Sequence, residues 1–353
     1  MMKDKDGILF VAGPGRSGTT LLRDLLDGHP RLVVWPYEWQ YLSLYGKYVS
    51  TDLKRFLPAA EIISRFLAEE RFKMIFRGPL VERRVEGRVS EPDWVLHLRK
   101  GLERVEEKEF SAFSFFRSMA SLARGEKKKY FVCKCNDPLR ILEYTIAFPE
   151  ARFLFILRNP IDCFLSKLQY RARSYDCLAP PEFPRGLAAY SLDEIEAFFK
   201  ALAFLRDTDT TGERYNVLRL EDLVQTPGNV LQAMGERLSL SWDDNLIRPS
   251  WMGLPVRGHF SDPRRDERCL AVPTEARRWG LTKAEKKRLR ENKDIYSRDY
   301  PELEKDLESV PNARIFRRAY RLHCRFHIRA NEGREFRKAF FRRARRRYAE
   351  LEA

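Results

Sequence analysis

Apolar residues in this chain come in short dense runs, not in alternation with polar ones. Five runs combine β-branched and aromatic residues and predict strands: GILFVA (7–12), RLVVW (31–35), YFVCK (130–134), RFLFILR (152–158) and YNVLRL (215–220). Continuous apolar character predicts strands buried on both faces, as in a parallel sheet covered by helices. Helical spacing fills the intervals. The stretch 19–30 carries Leu21, Leu22, Leu25 and Leu26 and then stops at Gly28 and Pro30. Stretches 137–149 and 159–173 open on Asp137–Pro138 and Asn159–Pro160, a cap followed by a proline in the first turn. Stretch 191–207 opens on Ser191 with Glu194 three residues on, a capping-box spacing. Strand–helix alternation of this kind predicts an α/β fold, a three-layer doubly wound parallel sheet.

Two segments interrupt the alternation. Residues 36–129 are rich in aromatics and mixed charge and mostly helical in pattern, which suits a lid or acceptor pocket at the strand ends. Residues 257–278 are polar, basic and turn-rich and read as a long loop. One α/β domain over 1–311 and a basic helical tail over 312–353 are therefore expected.

Charge sharpens the picture of the tail. The formal net charge is +15, and residues 312–348 hold thirteen Arg and one Lys against two Glu. Phe316, Tyr320 and His323 share one side of a helix there. Such a helix could lie on an anionic membrane, recruit an acidic polymer, or dock on the core by its aromatics with a solvated basic face. Nucleic acid is not the expected partner. No apolar run reaches the roughly 18–20 residues of a membrane span. The start, MMKDKDG, lacks the apolar core of a secretion signal, and the six cysteines follow no framework spacing. A cytoplasmic protein with reduced thiols, peripheral to a membrane through its tail, is expected. Cys133-x-Cys135 lies in a strand pattern with no second pair, so no metal site is expected.

The chemistry concentrates at GPGRSGTT (13–20), between the first strand and the first helix. It has the outline of a phosphate loop, but Thr19 occupies the usual lysine position. A glycine-rich turn running into a helix N-terminus presents backbone N–H groups to an anion. Here the cation is Arg16, inside the loop. The neighbouring strands end in Lys134 and Arg158, which would repel Mg²⁺, so ATP or GTP hydrolysis is not expected.

GPGRSGTTLLRDLLDGHP and FPEARFLFILRNPIDCFLSKL together resemble the sulfotransferases that use 3′-phosphoadenylyl sulfate, a family with a P-loop NTPase-like fold. The first resembles their 5′-phosphosulfate loop. The second resembles their 3′-phosphate motif, an Arg ending a strand and a Ser eight residues later. The resemblance implies that Gly15, Arg16, Ser17, Gly18, Thr19 and Thr20 hold the 5′-phosphosulfate, and that Arg158 and Ser166 hold the 3′-phosphate. It implies that Lys134 stands near the transferred group, and that the donor needs no metal. Asn136 stands where cytosolic small-molecule enzymes carry a His base. The carbohydrate and tyrosylprotein branches place a Glu after the first helix, and Glu38 fits that place, with His259 as an alternative base. Arg277, Arg278 and Trp279 resemble an Arg-Trp cofactor segment of those branches. The implied reaction is sulfuryl transfer to a hydroxyl acceptor, a carbohydrate, glycolipid or phenol. Two other classes remain: a P-loop nucleotide kinase or hydrolase, and a non-catalytic nucleic-acid- or membrane-binding protein with a degenerate loop.

Overall fold

The structure, a computed structural model, describes residues 7–38, 56–68, 93–174, 183–256, 277 and 280–313. Most of the 257–278 loop, with His259, lies outside the described residues, as do Arg278, Trp279 and the tail beyond residue 313. The described chain forms two compact units, Met1–Asn159 with Ala197–Val272, and Pro160–Glu196 with Pro273–Ala353.

The first unit holds a five-stranded parallel sheet. Its strands are β1 (Ile8–Ala12), β2 (Leu32–Glu38), β3 (Tyr130–Cys135), β4 (Arg152–Leu157) and β5 (Tyr215–Arg219), in the spatial order β2-β3-β1-β4-β5. Each predicted run supplies one strand. Helix α1 (Thr19–Leu26) follows β1. The insertion contributes α2 (Ala59–Ala68), α3 (Asp93–Leu102) and α4 (Ala112–Arg124), with a two-residue antiparallel ladder pairing Leu57–Pro58 with Glu109–Phe110. Helix α5 (Pro138–Ala147) joins β3 to β4, with Asp137 accepting from the N–H groups of Leu139 and Arg140. Helices α6 (Pro160–Ser174) and α7 (Phe183–Thr208) lead to β5, and α8 (Leu220–Gln225) and α9 (Pro227–Arg237) follow it.

The period-2 geometry of β1 divides the core by residue type. Leu9 and Val11 join Leu22, Leu25 and Leu26 of α1 and Leu231, Met234 and Leu238 in an aliphatic face. Phe10 meets an aromatic face, with ring centroids 4.7 Å from Tyr144, 5.0 Å from Phe153, and 5.9 Å from both Phe116 and Phe148. Both faces of β1 are thus dry, which is why its sequence shows no polar alternation.

Two boundaries differ from the expectation. β2 runs on to Glu38, through Pro36, so the insertion begins later than residue 36. Helix α7 starts at Phe183, not Ser191, because Pro184 is tolerated in a first turn. Ser191 is consequently buried inside the helix, and Glu194 pairs with Lys167.

The second unit is helical in its described residues. It adds α10 (Lys283–Glu291), α11 (Lys293–Ser297) and α12 (Leu303–Ser309). Thr282 and Glu285 form a reciprocal capping box at the start of α10. Arg288 binds Glu196 and Asp193, and burial pushes the nearby Tyr296 hydroxyl far above the ordinary tyrosine range. No helix among the described residues is long and apolar enough to cross a membrane.

At the end of α1, in the first unit, Asp27 is buried and accepts from Ser250 Oγ (2.7 Å) and the Gly253 N–H (2.8 Å). Burial raises its pKa, against the pull of these two bonds. A raised folded-state pKa means that the folded chain holds the proton more tightly than the unfolded one. The stabilising contribution is full below the unfolded pKa of about 4 and is lost as pH rises through the folded value. Asp27→Asn should therefore gain stability relative to wild type as pH rises from about 4 to 7; urea melts across that range measure the tilt.

Candidate active site

The chain from β1 leads towards the β3–β2 side of the sheet, and the chain from β4 leads to β5 on the other side. The carboxyl ends of β1 and β4 therefore flank a topological switch point, where open α/β sheets bind ligands. The phosphate loop leaves β1 there, and Arg158 leaves β4 beside it.

The loop is tightly determined. Gly13 has no room for a side chain: a Cβ would stand 2.3 Å from the Ile156 carbonyl oxygen and 2.5 Å from Ser17 Oγ. The Ser17 N–H donates to the Pro14 carbonyl at 3.0 Å, closing the turn. Gly18 (φ 103°) caps α1 in a left-handed conformation, with no side chain capping the helix. Arg16 also has positive φ, 80°, which costs a non-glycine residue about 1 kcal/mol or more. Ser17 is fully buried, and its Oγ has no hydrogen-bond partner among the described residues. An orphaned hydroxyl beside an uncapped helix N-terminus is a donor set suited to an anion's oxygens.

Three cationic residues gather around this turn. Arg158 is 3% exposed, and its Nη1 donates to the Arg16 carbonyl at 3.3 Å. The next N–H, of Asn159, donates to Glu221 Oε1 at 2.8 Å, which fixes the chain just past Arg158. Lys134 is buried at the end of β3, and its Nζ donates to Thr20 Oγ1 at 3.1 Å. Gly15, Arg16, Ser17, Gly18, Thr19, Thr20, Lys134 and Arg158 thus belong to one region of the first unit.

Glu38 joins them through the sheet. The backbone pairs Val34 with Val132 and then Glu38 with Lys134, so the ladder bulges between the two pairs. The expected base candidate therefore sits at a strand end, in register with the expected sulfuryl-binding lysine, instead of in a free loop. Glu221 is not among the residues that the motifs single out, yet it accepts the N–H that follows Arg158; the signal for it is its place in RLEDL, at the end of the strand next to that of Arg158.

The remaining expectations fall in the second unit or outside the described residues. Ser166 is buried on α6. Arg277 spends its guanidinium on Asp162, with bonds of 2.7 and 2.9 Å, and lies 3.6 Å from Asp306. Arg278, Trp279 and His259 are not described. No cluster of three or more His, Cys, Asp or Glu able to hold a metal occurs among the described residues.

A parallel α/β sheet with a lysine-free phosphate loop and basic residues at its strand ends defines an anion-binding P-loop-like protein. Residues 9–244 match the model described as "Sulfotransferase family", and the chain belongs to that family. It is an enzyme that transfers sulfuryl groups. Two solved structures share its fold. One is the sulfotransferase domain from the Synechococcus PCC 7002 olefin synthase, 19% identical, with a TM-score of 0.52 over 82% of this chain and 94% of that one. The other is the sulfotransferase domain from the curacin biosynthetic pathway, 17% identical, with a TM-score of 0.52 over 83% and 96%. No curated protein matches the chain.

The loop geometry predicts a sharp response at Gly13. Gly13→Ala forces its methyl group against the Ile156 carbonyl and Ser17 Oγ, and should cost about 1–3 kcal/mol in a thermal or urea melt.

Proposed function

We propose that the protein transfers the sulfuryl group of 3′-phosphoadenylyl sulfate to a hydroxyl of a carbohydrate or glycolipid, at the carboxyl ends of β1, β3 and β4. The observation that carries the reading is the bond from Arg158 to the main chain of Arg16, which brings two cationic residues from distant stretches of sequence to one place. The donor supplies an activated sulfuryl group.

The chain's own residues divide the remaining work. The loop N–H groups, Ser17, Thr19 and Thr20 would hold the 5′-phosphosulfate, for which the orphaned Ser17 Oγ is a ready donor. Arg158 would hold the 3′-phosphate, and on sequence position alone Ser166 would share it. Arg16 and Lys134 would offset the negative charge that gathers on the leaving phosphate. Glu38 would take the proton of the attacking hydroxyl as general base. Its backbone register with Lys134 supports that role.

The acceptor class rests on the resemblance to the carbohydrate and tyrosylprotein branches, and on the aromatic content of the insertion. A cytoplasmic setting at an anionic membrane surface is also proposed, on the charge of residues 312–348. Flotation with phosphatidylserine vesicles, with and without residues 312–353, tests it.

Thermal shift against 3′-phosphoadenosine 5′-phosphate and ATP tests the donor. The former should stabilise the protein more, without Mg²⁺. Arg158→Ala should weaken it about 10–100-fold, the loss of a charge-assisted hydrogen bond. Equal affinity for wild type and variant defeats the assignment. Glu38→Gln should bind that nucleotide as wild type does and lose about 10²–10⁴-fold in kcat. Turnover is read as nucleotide release from the donor with octyl β-galactoside and 2-naphthol supplied together.

A further inference from the structure

Arg23 lies on α1, the helix that starts at the phosphate loop, and its guanidinium is engaged by groups outside that loop. It is 4% exposed. Nε and Nη2 donate to Asp24 Oδ1, Nη1 donates to the Pro36 carbonyl at 2.5 Å, and Cζ stands 5.2 Å from the centre of the Trp251 ring. Burying an ion pair carries a desolvation cost of several kcal/mol per ion, so the pair is weak evidence for stability. The question is what its one long-range bond fixes.

That bond lands on the β2 bulge. Between Val34↔Val132 and Glu38↔Lys134, the three residues Trp35, Pro36 and Tyr37 stand opposite Cys133 alone. Pro36 has no N–H to give the ladder, so pairing cannot set the path of the chain through it. Its carbonyl is bound by Arg23 instead. A register slip at this point would bring a different residue opposite Lys134. We infer that Arg23 is a positioning residue for the reaction: by holding the Pro36 carbonyl it fixes where β2 re-enters the ladder, and so sets Glu38 beside Lys134.

The hold on Arg23 is itself braced. One turn further along α1, Asp27 binds Ser250 Oγ and the Gly253 N–H. These contacts anchor the small hairpin pairing Ser250–Trp251 with Leu254–Pro255, which presents Trp251 to the guanidinium. One helix thereby serves both halves of the site, the anion cradle with its first turn and the base strand with its second.

The inference rests on Glu38 acting as base, and the test separates the two. Arg23→Lys keeps the positive charge, but one ammonium cannot reproduce a planar fork spanning Asp24 and the Pro36 carbonyl. Arg23→Met removes the charge; if it fails to fold, Arg23→Lys carries the test. The expected result for Arg23→Lys is unchanged affinity for 3′-phosphoadenosine 5′-phosphate, with kcat lowered about 100-fold in the same donor-turnover assay. Its kcat–pH profile should be displaced from that of wild type. In a Glu38→Gln background the same substitution should cause no further loss, because the group it positions is gone. A purely structural ion pair would lower the melting temperature and leave kcat and the pH profile of the folded enzyme alone. That outcome, with Glu38→Gln inactive, overturns the inference and spares the base. Full activity of Glu38→Gln defeats the base instead. Amide exchange then decides the bulge: loss of protection at residues 37 and 38 with residues 16–20 unchanged upholds the Arg23 hold, and unchanged protection at 37 and 38 overturns it.

Discussion

The bond from the Arg158 guanidinium to the main-chain oxygen of Arg16 ties the end of β4 to the loop after β1, and the site is built around that tie. The basic side chains of Lys134 and Arg158 reach the segment after β1 from the two strands that flank it, and like charges repel. Only a rigid frame keeps them there. The frame consists of the Gly13 turn against the Ile156 carbonyl, the Asn159 N–H on Glu221, and the Lys134 ammonium on Thr20. A bound polyanion relieves the repulsion, so it stabilises the fold as it binds.

The frame depends in turn on a sheet with two unlike sides. Aliphatic residues of α1 and α9 cover one face, and an aromatic cluster centred on Phe10 covers the other. Stacked and tilted rings at these separations add about 0.5–1.5 kcal/mol per pair beyond the area they bury. The central strand that delivers the loop is held on both sides.

Sequence made the sheet legible because strands buried on both faces leave an unmistakable dense apolar run, as at GILFVA and RFLFIL. The loop was legible because its glycines and hydroxyls are contiguous. The failures were non-local. Pro36 reads as a break, yet β2 continues through it, with its carbonyl bound by Arg23 from a distant stretch of chain. Ser191 and Glu194 read as a helix start, yet α7 already runs past them from Phe183. Glu221 is polar, near a strand end and unremarkable in sequence; only folding brings it to the Asn159 N–H. Arg277 reads in sequence as a cofactor arginine, but two carboxylates, Asp162 and Asp306, flank it in the fold.

The left-handed backbone at Arg16 carries a consequence for the history of the protein. Glycine would occupy that conformation without penalty, and every copy that keeps arginine gives up some resilience to do so. A laboratory lineage propagated only for survival at high temperature would drift toward glycine at position 16, becoming sturdier as it shed a positive charge from the loop.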